Sequence, residues 1–310
     1  MRVICLLWEG GSCPIVSRMK RLIFTLTLIL TSFSFSQENL HLALETSYKA
    51  WRSSIVRRDL SAWERATAEH RKVEVRNRIV SEKLPFPAAV FNLPAPPPAL
   101  DGLKFLGAKQ NGATAKASYF GKIDFGIGGE PTENLWVLSF IKGAGAWLYD
   151  RADFVNLAAL PAVRKELSAG NLSYLKETPE AQPSGIVPPT AILARPAKYI
   201  AKIYVFCPGR EVNVQVNKIS RHRFANAKEA EVVIGGAVDG PNEVQYSVKR
   251  LEGSTGKEVM TIRVYLMSEL QGVKPIKVFE YQVAEGVTPK PFGSGSFNMD
   301  AEIARKLAES

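Results

Sequence analysis

Apolar residues change their spacing along the chain, and each change marks a region. Leu40, Leu44, Tyr48, Trp51 and Ile55 recur at steps of four, four, three and four, which puts them on one stripe of a helix running to about Arg58. Ser61 with Glu64 three residues on has the form of a capping box, so a second helix is predicted from there to about Val80, carrying Trp63, Ala66, His70 and Val73 inward. Pro85, Pro87, Pro94 and the run Pro96-Pro97-Pro98 then exclude long regular structure and leave room for one helical turn over Ala88–Phe91. From Leu103 the period becomes two. Segments Leu103–Ala108, Thr114–Phe125, Leu135–Ile141 and Ala146–Val155 read as strands, with hairpin turns at Asn111-Gly112 and Gly143-Ala144-Gly145. A short helix over Ala162–Leu167 follows, and the Pro-, Ser- and Gly-rich stretch Pro179–Pro189 reads as an exposed interdomain linker.

Beyond the linker the alternation is regular. Val212, Val214 and Val216 face one way, as do Val244, Tyr246 and Val248, and Met260, Ile262, Val264 and Leu266. With Tyr199–Phe206, Ala230–Val238 and Ile276–Val283, six or seven strands are expected, joined by turns such as Asp239-Gly240-Pro241 and Gly253–Gly256. The fold class expected is an α+β N-terminal domain, with helices packed on a curved antiparallel sheet, followed by an all-β sandwich. In residue numbers the expectation is a signal peptide over 1–36, an α+β domain over 37–160, a helix and Pro-rich linker over 161–191, and a sandwich over 192–310.

The beginning of the chain bears on compartment. Met19, Lys20 and Arg21 open a charged region, Leu22–Leu30 is apolar apart from threonines, and Ser34-Phe35-Ser36 offers small residues for a signal peptidase. Cleavage after Ser36, with residues 1–18 upstream of a true start at Met19, is the expectation; it makes the protein secreted or periplasmic, with no transmembrane helix after processing. Residues 1–36 hold Arg2, Arg18, Lys20, Arg21 and Glu9, so of 40 basic and 30 acidic residues 36 and 29 remain, a net charge of +7. That mild basicity suits contact with anionic polymers or envelope surfaces. Cys207 alone survives processing, which excludes an intrachain disulfide and a structural cysteine zinc site; its apolar surroundings suggest a buried, inert thiol.

Two N-terminal helices leading through a proline-rich connection into antiparallel strands resemble the nuclear transport factor two-like superfamily with its cone-like fold. The residues that carry this are Ala50-Trp51, Arg58-Asp59-Leu60 with Trp63, Leu135-Trp136-Val137-Leu138-Ser139-Phe140, and Gly145-Ala146-Trp147-Leu148-Tyr149-Asp150. The resemblance spans about residues 39–157. Its members include isomerases, dehydratases, ligand-binding modules and scaffolds, so it implies a fold and a cavity without selecting an activity.

Candidate chemistry is thin. His70 and Glu74 stand at helical spacing but lack a third ligand, and read as a helix-surface pair; His222, between Arg221 and Arg223, reads as solvated in a loop. Gly293-Ser294-Gly295-Ser296 lacks the spacing of a nucleophile elbow and reads as a flexible turn, and Gly126-Ile127-Gly128-Gly129 reads as a hairpin loop. Basic residues over Arg57–Arg78 are interleaved with Asp59, Glu64, Glu69 and Glu74, which favours a solvated, internally paired surface and argues against nucleic acid. Trp51, Trp63, Tyr119, Phe125, Trp136 and Trp147 either fill a core or line a cavity in which Arg76, Tyr119 or Asp124 orients a ligand. The ligand-site candidates are therefore Trp51, Trp63, Arg76, Tyr119, Asp124 and Trp136. No catalytic residue, cofactor or metal ligand is assigned. The function expected is a noncatalytic binding protein, whose partner is an envelope protein or a glycan; the alternative is a small-molecule enzyme or carrier using the cavity. A last expectation is that Tyr204, Phe206 and Tyr265 point out of the sandwich and form a binding platform.

Overall fold

A computed structural model describes residues 39–124 and 130–309. The expected signal segment, the start of the mature chain, Phe125 and the Gly126–Gly129 loop lie outside these residues. Over these residues the protein is mixed helix and sheet, with three antiparallel four-stranded sheets and most helices in the N-terminal part. It forms two compact units: the first holds residues 39–52 and 98–187, the second 53–97 and 188–309, so that the division falls inside helix α1 (residues 39–57).

In unit one, β1 (Lys104–Asn111), β2 (Thr114–Ile123), β3 (Thr132–Lys142) and β4 (Trp147–Asn156) form a meander in chain order. Leu44 and Tyr48 of α1 pack with Ala115, Ala117, Trp136, Leu138 and Phe140 on one face. Leu157, Leu167 of α4 (Pro161–Ser168) and Leu175 of α5 (Ser173–Glu177) pack with Leu106, Phe120, Leu135 and Val137 on the other. Covering both faces explains why β3 is buried without a break from Asn134 to Ile141, where a sheet with one wet face would alternate.

The second predicted helix differs in three respects. It starts at Leu60, because the Asp59 carboxylate accepts from Ala62 N at 3.0 Å and takes the capping role assigned to Ser61. It is broken into α2 (Leu60–Ala66) and α3 (Glu69–Ser81), since Thr67 and Ala68 are extended and Thr67 donates its hydroxyl back to Trp63 O. Both pieces group with unit two, whereas the first sheet belongs to unit one. The reason lies in Asn77. Its amide donates to Ile192 O at 2.8 Å and accepts from Ala194 N at 2.9 Å, the pairing a neighbouring strand would supply.

Unit two carries two sheets, ordered β11-β10-β5-β8 and β12-β9-β6-β7. The strands are β5 (Ile200–Phe206), β6 (Arg210–Val216), β7 (Ser220–Ala225), β8 (Lys228–Val232), β9 (Gly240–Arg250), β10 (Met260–Met267), β11 (Ile276–Val283) and β12 (Phe292–Met299). Ile203, Val205, Ile262, Val264 and Leu266 from one sheet share a single core with Val212, Val214, Val216, Phe224 and Val244 from the other. Leu307 of the terminal helix α6 (Ala301–Ala308) joins it.

Three further expectations are corrected here. Ser220–Ala225 is strand β7, not a loop, and its inward residues are Ser220, His222 and Phe224. The Gly293–Ser296 segment lies within β12, where a side chain on Gly293 would strike the Tyr246 ring and one on Gly295 would strike Phe279. Those aromatics occupy the space the glycines leave, so the segment is strand by packing and not by propensity. Part of the Pro179–Pro189 linker is docked: Lys109 reaches Gln182, Lys116 donates to Glu180 O, Gly185 N donates to Thr114, and Ala181 is buried.

Candidate functional site

The sequence-predicted site residues are divided between the two units. Trp51, Tyr119, Asp124 and Trp136 belong to unit one, and Trp63 and Arg76 to unit two. Asp124 is exposed at the end of β2. Trp63 is buried, and Arg76 donates to Ala194 O at 3.0 Å beside the Asn77 clamp, so its guanidinium holds backbone.

Trp51, Tyr119 and Trp136 join a continuous aromatic set between α1 and the sheet. Tyr48 sits at its centre, 5.4 Å from Trp136 edge-on, 5.6 Å from Tyr149 and 5.7 Å from Trp51. Trp51 lies 4.0 Å from Tyr149, and Phe105 links Tyr119 to the stacked ring of His41. The Tyr48 hydroxyl donates to Pro98 O at 2.6 Å, and burial first, then neighbouring Tyr149, pushes its phenol well above the usual range. Aromatic packing of this density accounts for the set as core.

The most specific polar constellation was not legible beforehand. Ser220 Oγ lies 2.5 Å from His222 Nε2, and His222 Nδ1 lies 2.6 Å from the Glu231 carboxylate. Ser220 also accepts from Ile234 N at 2.7 Å. The connectivity is that of a serine–histidine–carboxylate relay. Its exposure runs the opposite way from a nucleophilic site, because Ser220 is fully buried while Glu231 reaches solvent. A substrate has no approach to Oγ, which already accepts a backbone N–H. The relay instead joins β7 on the edge of one sheet to β8 on the edge of the other. The signal that could have found it is the alternation Ser220, His222, Phe224 against Arg221 and Arg223.

His70 is buried, and Glu74 pairs with Arg71 at 3.0 Å. Lys72 pairs with Glu69, in the internal pairing expected of this basic region. Among the described residues no group of three or more His, Cys, Asp or Glu side chains is placed to hold a metal ion. Cys207 is buried, and burial pushes its thiol up.

On the sheet β11-β10-β5-β8, Ala201, Ile203 and Val205 point inward while Lys202, Tyr204 and Phe206 are half-buried on the opposite face. Register sets Tyr265 beside Lys202, Arg263 beside Tyr204 and Thr261 beside Phe206. Aromatic thus faces cation across the strands at Tyr265–Lys202 and Tyr204–Arg263, while Phe206 follows Tyr204 along β5 with Thr261 opposite. Lys228 stands beside Phe206 and Lys277 beside Tyr265 on the flanking strands. Glu280 accepts from both Arg263, at 2.5 Å, and Lys277, at 2.6 Å; these contacts hold its carboxyl below the usual range. Comparison with protein-family models, with curated proteins and with solved structures found no match.

Proposed function

We propose that the protein is an exported, noncatalytic binding protein, built from an α+β domain and a β-sandwich, that takes an anionic glycan of the cell envelope on the outward face of its β11-β10-β5-β8 sheet. The observation that carries this reading is the placing of Tyr265, Tyr204 and Phe206 beside Lys202 and Arg263 on one face of β5 and β10. Tyr204 and Phe206 stand two residues apart along one strand and Tyr265 stands diagonal to Tyr204 on the next, each roughly 7 Å away, a spacing on which sugar rings stack while the intervening cations meet carboxylates. Four cations, Lys202, Lys228, Arg263 and Lys277, stand on this face against Glu280 and the Glu82 carboxylate near Lys202, so the face retains positive charge. Export is part of the proposal through the signal-like segment of residues 19–36. The cone-like reading of unit one is supported by a long helix laid over a four-stranded meander, as the resemblance to the nuclear transport factor two-like superfamily implies. The noncatalytic part is supported by the burial of Ser220 in the serine–histidine–carboxylate relay.

The test is affinity electrophoresis of the full chain through a gel containing a polyuronate. Wild type is expected to be retarded more than in a neutral dextran gel, and the variant carrying Tyr204→Ala and Tyr265→Ala is expected to lose most of the retardation. Equal mobility in both gels, or retardation unchanged by the two substitutions, overturns the glycan reading; capture of a protein partner by this face in its place does so as well.

A further inference from the structure

β12 is the edge of the sheet β12-β9-β6-β7, with a strand on one side only among the described residues. It has no charged residue and no proline, and it runs beside β9 in unbroken register over all 8 residues. The other edge strands all carry charge: Lys109 on β1, Arg151 on β4, Arg223 on β7, Lys228 on β8 and Lys277 on β11. Charges, prolines and bulges keep a sheet edge from pairing with another chain, and β12 has none of them. Packing against Tyr246 and Phe279 accounts for Gly293 and Gly295. It does not account for Ser294 and Ser296, which are exposed on the opposite face, where a lysine would fit as well.

In an antiparallel pair the N–H and C=O of one residue point to the same side, and the side alternates along the strand. Val248 N donates to Pro291 O at 2.8 Å across the ladder between β9 and β12. Positions 293, 295, 297 and 299 therefore face β9, and Phe292, Ser294, Ser296 and Asn298 turn their N–H and C=O to the side without a strand. We propose that a second copy of this chain pairs with this edge, β12 antiparallel to β12, about a twofold axis at Gly295, so that the two copies share one continuous sheet. Such an axis, perpendicular to the sheet, keeps every side chain on its own face only if it passes through a residue position. At Gly295 it sets Phe292 opposite Asn298 and Ser294 opposite Ser296, four pairs that exchange about eight hydrogen bonds. An axis at any other position of β12 leaves at least one of the four residues without a partner inside the strand. The chain carries a net charge of +10, and a self-pairing of uncharged strands sets no like charges opposite each other, as Arg221 and Arg223 would in a self-pairing of β7. A foreign peptide is disfavoured as the occupant, because strand addition draws its specificity from side chains beside the edge and β12 offers no charge to select one. The glycan face lies on the other sheet, and the proposal does not depend on it.

The experiment is sedimentation equilibrium of the full chain across the micromolar range, where a strand pairing with little apolar contact is expected to give a reversible monomer–dimer equilibrium. Ser294→Pro removes an N–H that faces away from β9, so the ladder within the copy keeps its hydrogen bonds while the one between copies loses two; dimerisation is expected to weaken at least about 10-fold. Ser294→Lys is the second variant, in case proline disturbs the strand. It brings two cations roughly 7 Å apart across the axis, so it is expected to weaken the dimer by a similar factor at low ionic strength and by less in high salt. Asn213→Lys, exposed on the same face but two strands from the edge, adds the same charge and is expected to leave the dimer intact. A wild type that sediments as a monomer throughout the range overturns the proposal, and so does growth beyond the dimer. A dimer that survives both Ser294 variants, or one that Asn213→Lys weakens as much as Ser294→Lys does, overturns it as well.

Discussion

Replacing Ser220 by alanine removes one oxygen and disconnects two groups. Ser220 is fully buried; its Oγ accepts from Ile234 N at 2.7 Å and lies 2.5 Å from His222 Nε2. The ring of His222 is itself buried, its side chain 3% exposed, so water cannot replace the lost partner at Nε2. An orphaned buried donor or acceptor costs about 1–3 kcal/mol, and the half-buried Ile234 N–H adds about 1 kcal/mol, so Ser220→Ala is expected to cost unit two about 2–4 kcal/mol. Glu231→Gln is the contrasting control. Its side chain is 45% exposed and solvent takes over much of its role, so the expected cost is about 0–1 kcal/mol. Urea unfolding read by hydrogen exchange in peptides covering β6–β9 isolates this unit from the first. A Ser220→Ala cost below that of Glu231→Gln would refute the reasoning, since it would mean that the buried end of the relay bears no stabilising hydrogen bond.

Three other perturbations follow from the same structure. Asn77→Ala removes two of the hydrogen bonds that hold Ile192 and Ala194, so limited proteolysis is expected to cut within residues 188–195 at least several-fold faster than in wild type; an unchanged cleavage rate contradicts the clamp. Lys218 has φ 61° in the turn between β6 and β7, and Lys218→Gly is expected to raise stability by up to about 1 kcal/mol because glycine adopts that conformation without strain; a lowered urea midpoint contradicts this. Glu280 has its folded-state pKa held below its ordinary value by Lys277, then Arg263, so protons bind the unfolded chain more tightly. Its stabilisation is present above the ordinary carboxylate pKa and is lost as pH falls through the lowered folded value; the wild-type advantage over Glu280→Gln in urea should shrink over that acidic window, and an advantage that grows on acidification contradicts it.

Strands whose inward positions are aliphatic could be read directly, because burial of one face imposes period two on Val212–Val216 and Met260–Leu266. β7 escaped because its inward positions are Ser220 and His222, polar groups that become buriable only when Glu231 and Ile234 N arrive from β8 and beyond. β12 escaped for the reverse reason: its Gly293 and Gly295 carry no pattern, and the side chains that fill their space, Tyr246 and Phe279, come from β9 and β11. The break at Thr67 has no proline or glycine to announce it, and the Asn77 clamp that assigns α3 to unit two spans more than a hundred residues. Of the candidate site, Tyr204 and Phe206 stand on the outward face as expected, but both faces of β5 are apolar and alternation alone does not set their phase. The pairing of Tyr265 with Lys202 needed strand order and register, which no local pattern contains.

Covalent footprinting of aromatic side chains tests the glycan face most directly. The full chain is labelled by hydroxyl radicals alone, with a polyuronate, and with a neutral dextran, and each modified residue is quantified by mass spectrometry. Tyr204, Phe206 and Tyr265 are half-exposed and label in the free protein; the polyuronate is expected to reduce their labelling several-fold at low ionic strength, less so in high salt, with exposed Phe292 on β12 unchanged. Labelling of the three that polyuronate leaves unaltered, or protection that falls on Phe292 and spares them, contradicts the account.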